Sequence, residues 1–180
     1  IYLEHTAGAV YILRNPFDMV VSFSDHYRIS YDDAIEAIAA PSHRVQTTSQ
    51  GIFQILGGWS NHYRTWFGVD NFHPLLLRYE DMVRNPTKTF GRFNKYLGLP
   101  KNPERLRRAI KNSSFNEVSK QESVSGFSER SRSDQKFFRS GKVGGYKSIL
   151  SEAQVTKIIN AHSDLLFEKG YITKGGRPKF

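Results

Sequence analysis

The chain has 180 residues, of which 38% are hydrophobic and 13% aromatic, enough for one domain with a real core. It contains no cysteine, which excludes disulfides, thiolate metal sites and a cysteine nucleophile and leaves the redox compartment open. No apolar run approaches the roughly 18 residues of a membrane helix, and the first residues do not resemble a signal peptide. The net charge of +9 favours a nucleic acid, an anionic membrane or a polyanionic small molecule as partner, or simply serves solubility.

Residues 9–13 form a continuous apolar run that is rich in β-branched and aromatic types. Such a run predicts a strand that is buried on both faces of a parallel sheet. Arg14 follows directly, and an unpaired guanidinium is costly to bury. We therefore expect Arg14 at the carboxyl edge of the strand, facing an anion or an acidic partner.

A helix start follows the strand, with Asn15 as N-cap, Pro16 at the first helical position and Asp18 in the first turn. Ser22 comes eight residues after Arg14, about two turns into that helix, so the two side chains can share a ligand. Ligands of open α/β sheets bind beyond the carboxyl ends of the strands, and helix N-termini favour anions. These residues alone predict half of a phosphate site.

The next segment predicts a short helix from Ser30 to about Ala40, which Pro41 ends. Residues 41–50 are polar and predict a mobile loop over the site. From Gln50 the pattern predicts one long amphipathic helix with solvated His62, whose apolar face belongs to the core and comprises Ile52, Ile55, Leu56, Trp59, Tyr63, Trp66 and Phe67.

Residues 73–81 predict a second strand, which ends in Tyr79-Glu80-Asp81, and a helix follows from Asn85 to a stop at Gly98. Tyr79 either contacts a ligand or covers the sheet as a strand-end aromatic residue. Residues 101–111 form a basic helix, for which a solvated face is the default interpretation.

Asn112, Ser113, Ser114 and Phe115 then form a loop before another short helix. A ring presented beside two hydroxyls suits a purine, which needs a π-face and polar partners at its edge. On local sequence alone, a serine-capped helix start with Phe115 turned into the core is an equal alternative.

Residues 119–136 are polar and predict a flexible segment or substrate lid.

Glycines at 141, 144 and 145 let backbone N–H groups approach an anion, with Arg139 and Lys142 adding charge. The sequence from Gly141 to Ser148 imitates a nucleotide phosphate loop. Tyr146 occupies its second glycine position, however, and no clear strand precedes it, so that interpretation is rejected.

The last predicted helix begins with a Ser151–Gln154 capping box and ends at Gly170-Tyr171. The tail, residues 172–180, is basic and predicted to be loose.

These segments resemble the sulfotransferases of the bacterial and cytosolic type, which use 3′-phosphoadenosine 5′-phosphosulfate (PAPS). In that family a strand ends in Arg-Asn/Asp-Pro-x-Asp, and a serine follows eight residues after the arginine. Arg14 and Ser22 match these positions, and the resemblance implies that both bind the 3′-phosphate.

Three further elements carry the resemblance. The family's Tyr-Glu-Asp, whose tyrosine contacts adenine, matches Tyr79 and the two residues after it, and an Asn-Pro … Leu-Gly-Leu-Pro segment follows in both. The family's Ser-Phe pair near the adenosine matches Ser114 and Phe115, with Ser113 as a weaker candidate. The family's Arg-Lys-Gly-x-x-Gly-Asp-Trp-Lys element closes over the 3′-phosphate and implies binding roles for Phe138, Arg139, Ser140 and Gly141.

That last element departs from the family pattern at three positions. Ser140 replaces lysine, Gly145 replaces aspartate and Tyr146 replaces tryptophan. The loss of one cation weakens the expected grip on phosphate, although the Ser140 hydroxyl can still donate a hydrogen bond.

The resemblance implies an α/β fold with a P-loop-NTPase-like parallel sheet flanked by helices, formed by one domain over residues 1–180. The N-terminal strand and the phosphosulfate loop are missing, so we expect the C-terminal part of a longer protein, inactive by itself. The implied reaction is sulfuryl transfer from PAPS to a hydroxyl or amine of a small-molecule acceptor, with adenosine 3′,5′-bisphosphate (PAP) as product and without a metal. We further expect a cytoplasmic protein that is a possible homodimer and has neither a membrane span nor a nucleic-acid partner.

The catalytic residues are not identified. The family's catalytic histidine and lysine are expected upstream of Ile1, and His5, only nine residues before Arg14, does not match the histidine. The alternative function is a basic nucleic-acid-binding module without catalysis, supported by the net charge and the helix at 101–111. The spacing of the aromatic residues opposes it, because they do not interleave with the basic ones. A kinase or ATPase lacks an acceptable phosphate loop in this sequence.

Overall fold

A computed structural model describes residues 3–47, 52–127, 136–138 and 140–180 of the chain. The chain divides into two compact units, the first formed by Ile1–Leu76 with Gly144–Phe180 and the second by Leu77–Val143. The prediction of a single domain stays a prediction.

The helices and strands follow one another in mixed order. Short 3₁₀ helices cover Leu3–His5 and Gly145–Ser148, and the remaining elements are β1 (Val10–Leu13), α1 (Pro16–Tyr27), α2 (Tyr31–Ala39), β2 (Arg44–Val45), β3 (Gln54–Ile55), α3 (Trp59–Phe67), β4 (Leu75–Arg78), α4 (Tyr79–Arg84), α5 (Pro86–Tyr96), α6 (Pro103–Asn112), α7 (Phe115–Ser125) and α8 (Glu152–Glu168).

The described strands form two small sheets. β1 and β4 pair in a parallel sheet that helices flank, and the Leu75 N–H donates to the Ala9 carbonyl at 2.8 Å where the pairing begins. β2 and β3 pair antiparallel, with Arg44 opposite Ile55. The predicted α/β class with a parallel sheet is confirmed.

The start of α1 agrees with its sequence signals. The Asn15 side chain accepts the Asp18 N–H at 2.8 Å, and Pro16 is the first helical residue. Asp18 is only 4% exposed, and its carboxylate accepts the N–H groups of Gly144 at 2.7 Å and Tyr146 at 3.0 Å. The acid that fits the helix N-terminus therefore also holds a backbone turn far along the chain.

The core of the first unit lies among α1, α2, α3 and α8. Its buried side chains come from both chain segments of the unit and comprise Leu13, Phe17, Val20, Val21, Ala34, Ile35, Ile38, Trp59, Tyr63, Tyr146, Leu150, Ile158, Leu165, Leu166, Tyr171 and Ile172. At the start of α8, both hydrogen bonds of the predicted Ser151–Gln154 capping box are present.

The prediction of a long helix from Gln50 is wrong. α3 begins only at Trp59, residues 54–55 form β3, and the predicted core residues Ile52 and Ile55 are 74% and 67% exposed. The Gly57-Gly58 pair separates the strand from the helix, because glycine disfavours continued helix. The loop predicted at 41–50 contains β2, and its residues 48–50 lie outside the described residues.

The prediction of a loose tail at 172–180 is also wrong. Ile172 and Pro178 form an antiparallel bridge, and the Lys179 N–H donates to the Tyr171 carbonyl at 2.9 Å. The Tyr146 hydroxyl donates to the Phe180 carbonyl at 2.8 Å, which fastens the end of the chain to the core.

The second unit is built from α4, α5, α6 and α7. The predicted strand 73–81 is shorter than expected, because the chain turns into α4 at Tyr79. Residues 119–125 of the segment predicted as a flexible lid are helical, while 128–135 lie outside the described residues, so the lid stays a prediction. None of the helices in the described ranges is both long and apolar enough to cross a membrane.

We expect Asp18→Asn to lower the free energy of unfolding by about 3 kcal/mol. The new amide NH₂ would face a backbone N–H of Gly144 or Tyr146, so a donor would replace an acceptor in a buried place. Urea denaturation measures the change. Asp164→Asn is the control, because its carboxylate is exposed and lies 3.9 Å from Arg64, and its curve should overlay the wild type.

His162 is a buried histidine inside α8, where the backbone departs from helical geometry. Its Nδ1 shares a hydrogen bond of 2.8 Å with the Ser60 hydroxyl, and its ring lies 5.3 Å from that of Trp59. No hydrogen-bond partner for Nε2 is present in the part of the chain that the structure describes. Burial lowers the pKa of His162 from 6.5 to about 4, because a charged ring would be poorly solvated there.

Lowering the pH from 6.5 to 4 should therefore destabilise the protein through His162. In this window the unfolded chain binds a proton that the folded chain does not, so stability falls with falling pH, by up to about 3 kcal/mol. Urea denaturation of wild type and His162→Gln at several pH values in this range tests the expectation. As the pH falls, the unfolding free energy of the wild type should decrease more than that of the variant. A difference between wild type and His162→Gln that stays constant over this pH range would contradict the expectation.

Candidate functional site

The carboxyl end of β1 is fixed by hydrogen bonds from distant side chains of the same unit. The Leu13 carbonyl accepts the Tyr171 hydroxyl at 3.2 Å, and the Arg14 carbonyl accepts the Trp59 indole N–H at 3.0 Å. Arg14 itself is half-buried. Its side chain therefore starts from an immobilised backbone, which favours precise placement of a guanidinium.

Ser22 lies on α1 and is exposed, whereas Val20, Val21 and Ser24 of the same helix are buried. Its hydroxyl is thus available to a ligand from solvent. The roles of Arg14 and Ser22 as phosphate ligands stay predictions.

Among the described residues, neither His5 nor His62 has an arrangement that identifies it as a catalytic base. His5 is exposed and lies 3.7 Å from Glu4. His62, predicted to be solvated, instead shares a 2.7 Å hydrogen bond with the Tyr11 hydroxyl, and burial lowers its pKa. Burial also raises the pKa of Tyr11 to about 12, so both shifts favour the neutral forms of the two side chains.

The second unit brings together four of the predicted site residues. The Tyr79 hydroxyl donates to the Gly141 carbonyl at 3.2 Å. Gly141 packs against the Phe115 ring so closely that a Cβ at this glycine would lie 2.8 Å from the Phe115 Cγ. The ring centroids of Phe115 and Phe138 are 6.5 Å apart, in an edge-to-face arrangement.

The two neighbouring serines have different environments. The Ser113 hydroxyl donates to the Ala109 carbonyl at 2.8 Å and so closes α6. Ser114 occupies the N-cap position of α7, yet its exposed side chain makes no capping hydrogen bond. The capping hydrogen bond expected from the alternative interpretation is thus not made by Ser114, and the role of its hydroxyl as a ligand stays a prediction.

The remaining predicted contacts are only partly described. Ser140 is exposed, and its hydroxyl oxygen accepts the Lys142 N–H at 3.5 Å. Arg139 lies outside the described residues. No group of three or more acidic or histidine side chains within 3–47, 52–127, 136–138 and 140–180 could hold a metal ion.

Sequence reasoning missed one polar residue beside this site, Glu122. It is 3% exposed, and its two carboxylate oxygens accept the N–H groups of Phe137 at 2.6 Å and Phe138 at 3.0 Å. Its position on a polar helix face gave no local signal, because the two donors lie 15 and 16 residues further along the chain.

The model of the sulfotransferase domain family matches residues 3–168. The chain belongs to this family. Sulfotransferase 1B1 of Canis lupus familiaris is 26% identical over 174 residues, which cover 93% of this chain and 56% of the relative. Sulfotransferase 2A2 of Mus musculus is 28% identical over 160 residues, which cover 85% of this chain and 54% of the relative.

Solved structures of other proteins share the fold. Mouse sulfotransferase SULT7A1 complexed with PAP superposes with a TM-score of 0.67 at 19% identity, over 88% of this chain and 58% of that one. Retinol dehydratase in complex with androsterone and the inactive cofactor PAP gives 0.66 at 20% identity, over 88% of this chain and 47% of that one. This sulfotransferase domain thus spans about half the length of the relatives it matches.

Gly141→Ala should destabilise the domain more than Gly98→Ala. Both glycines have a left-handed backbone, with φ of +58° and +66°, so each alanine costs about 1–2 kcal/mol for its conformation. Only at Gly141 would the new methyl group overlap the Phe115 ring, whereas at Gly98 no atom lies within 4 Å. Urea denaturation measures the loss of unfolding free energy in each variant, and the difference between the two losses is the cost of the overlap with Phe115. Equal losses would contradict the packing of Gly141 on Phe115.

Proposed function

We propose that the full-length protein is a sulfotransferase that transfers a sulfuryl group from PAPS to a hydroxyl or amine of a small-molecule acceptor. The observation that carries the proposal is the family match over residues 3–168, combined with the cluster of Tyr79, Phe115, Phe138 and Gly141 in the second unit. The comparisons give the nucleic-acid alternative no support.

The chemistry of the residues present fits an adenosine nucleotide. The second unit offers a half-buried aromatic ring at Phe115, the exposed hydroxyl of Ser114 beside it and the Tyr79 ring. A purine needs such a π-face together with polar partners at its edge. We propose that these three residues and Phe138 bind the adenosine.

The first unit offers groups suited to a phosphate. A guanidinium donates paired hydrogen bonds to phosphate oxygens, and a hydroxyl adds one more. We propose that Arg14 and Ser22 bind the 3′-phosphate, aided by Arg139, Ser140 and the backbone at Gly141. The end of β1 is held by Trp59 and Tyr171, so Arg14 loses little backbone freedom on binding.

Bound PAPS supplies the sulfuryl group, and this domain's residues bind and orient the nucleotide. The proposal requires a base that removes the acceptor proton and a cation near the developing charge. We propose that a histidine and a lysine outside these 180 residues fill both roles. The proposal includes no metal and no nucleic-acid partner, and it takes the protein to be cytoplasmic and a possible homodimer.

We expect Arg14→Ala to weaken binding of PAP by about 30- to 100-fold, equivalent to about 2 to 3 kcal/mol for lost charge-assisted hydrogen bonds. Isothermal titration calorimetry on the full-length protein measures this. Adenosine 5′-monophosphate lacks the 3′-phosphate, so it should bind more weakly than PAP and be indifferent to the Arg14 change.

Arg64→Ala is the matched control, because it removes an exposed arginine of the same unit and should leave PAP affinity unchanged. Absence of PAP binding by the folded wild-type protein would overturn the proposal. Salt-sensitive binding of single- or double-stranded DNA without sequence preference would then favour the nucleic-acid module.

A further inference from the structure

The segment around Phe137 and Phe138 is held from within the second unit by one acidic side chain. Glu122, on α7, is 3% exposed, and each of its carboxylate oxygens accepts one backbone N–H, from Phe137 and from Phe138. The two N–H···O distances are 2.6 and 3.0 Å, so both contacts are short enough to be hydrogen bonds. The carboxylate thus fixes two successive peptide groups at once.

The same segment is held again a few residues later. The Tyr79 hydroxyl donates to the Gly141 carbonyl, and the Phe115 ring packs on the Gly141 backbone. Glu122 and Tyr79 therefore restrain the chain on either side of residues 139–140. Both restraints come from helices of the same unit, α7 and α4.

The two hydrogen bonds to Glu122 hold a segment whose Phe138 ring contacts three other phenylalanine rings. The Phe138 ring lies 5.0 Å from Phe127, 5.2 Å from Phe137 and 6.5 Å from Phe115, all in edge-to-face contacts. Phe137 is 45% exposed although it is a large apolar side chain. Because Phe137 gains little from hydrophobic burial, the two hydrogen bonds to Glu122 add restraint that burial does not supply at this residue.

We propose that Glu122 is a positioning residue for nucleotide binding, which holds the Phe137-Phe138 peptides so that the Phe138 ring stays against Phe115. This inference rests on the proposed function, in which both rings bind the adenosine. Glu122 acts through the backbone N–H groups of Phe137 and Phe138. Its role is to lower the conformational freedom that the nucleotide would otherwise have to remove on binding.

The substitution Glu122→Gln tests the idea with little change of volume. A glutamine offers one oxygen and one NH₂, so one of the two N–H groups would face a donor. We expect PAP to bind about tenfold more weakly to the full-length Glu122→Gln protein. Glu122→Asp keeps two acceptor oxygens and should recover part of that loss.

Glu117→Gln is the matched control, because it removes the same charge from another face of α7 and should leave the affinity for PAP unchanged. The amide proton shifts of Phe137 and Phe138 in NMR spectra provide a second measurement. They should move upfield in Glu122→Gln and stay in place in Glu117→Gln, because a carboxylate acceptor deshields the protons that it binds.

The outcomes separate this inference from the proposed function. PAP binding by wild type with an unchanged affinity in folded Glu122→Gln would overturn the positioning role and leave the sulfotransferase proposal intact. No PAP binding by wild type would overturn the proposed function. In that case, shifted Phe137 and Phe138 amides would still support the contact itself, but not its part in binding.

Discussion

The interaction on which the first unit most depends is the buried carboxylate of Asp18. It accepts N–H groups from Asn15 of its own helix start and from Gly144 and Tyr146. Tyr146 in turn stacks on Phe17 and donates its hydroxyl to the carbonyl of the last residue, Phe180. Asp18 therefore joins the start of α1 to the backbone of Gly144 and Tyr146, and Tyr146 extends the connection to Phe180. Three donors compensate the cost of taking the charge out of water.

This arrangement gives a physical reason for the order Arg-Asn-Pro-x-Asp at the end of β1. The proline and Asn15 begin the helix, and the start of the helix orients Asp18. The carbonyl groups of Leu13 and Arg14 are held by side chains of Tyr171 and Trp59. Both carbonyl groups at the end of β1 thus accept a hydrogen bond from a side chain. The backbone from which the Arg14 side chain extends is therefore held in place. Such support restricts the backbone from which the Arg14 guanidinium extends.

The sequence predicts well what depends on neighbouring residues. Three predicted helix starts are present, and each depends on residues at most three positions apart: Asn15 for α1, Ser30 for α2 and the Ser151–Gln154 capping box for α8. It predicts poorly what depends on distant partners. The tail is ordered by contacts to Tyr146, and the apolar residues 52 and 55 satisfy helical spacing although two glycines keep them out of the helix. Glu122 gave no signal for the same reason, since its donors follow a long polar segment.

The candidate site shows the same limit at the scale of one residue pair. Ser113 and Ser114 are neighbours at a predicted helix boundary, and by residue type either could cap a helix. In the structure the Ser113 hydroxyl satisfies the carbonyl of Ala109 at the end of α6, while the Ser114 hydroxyl caps nothing. α6 ends and α7 begins at this pair, and of these two helix termini only the end of α6 is closed by a serine side chain. The hydroxyl beside Phe115 is therefore not used to cap α7, and the sequence alone cannot show this, because it does not give the hydrogen-bond partners of the two serines.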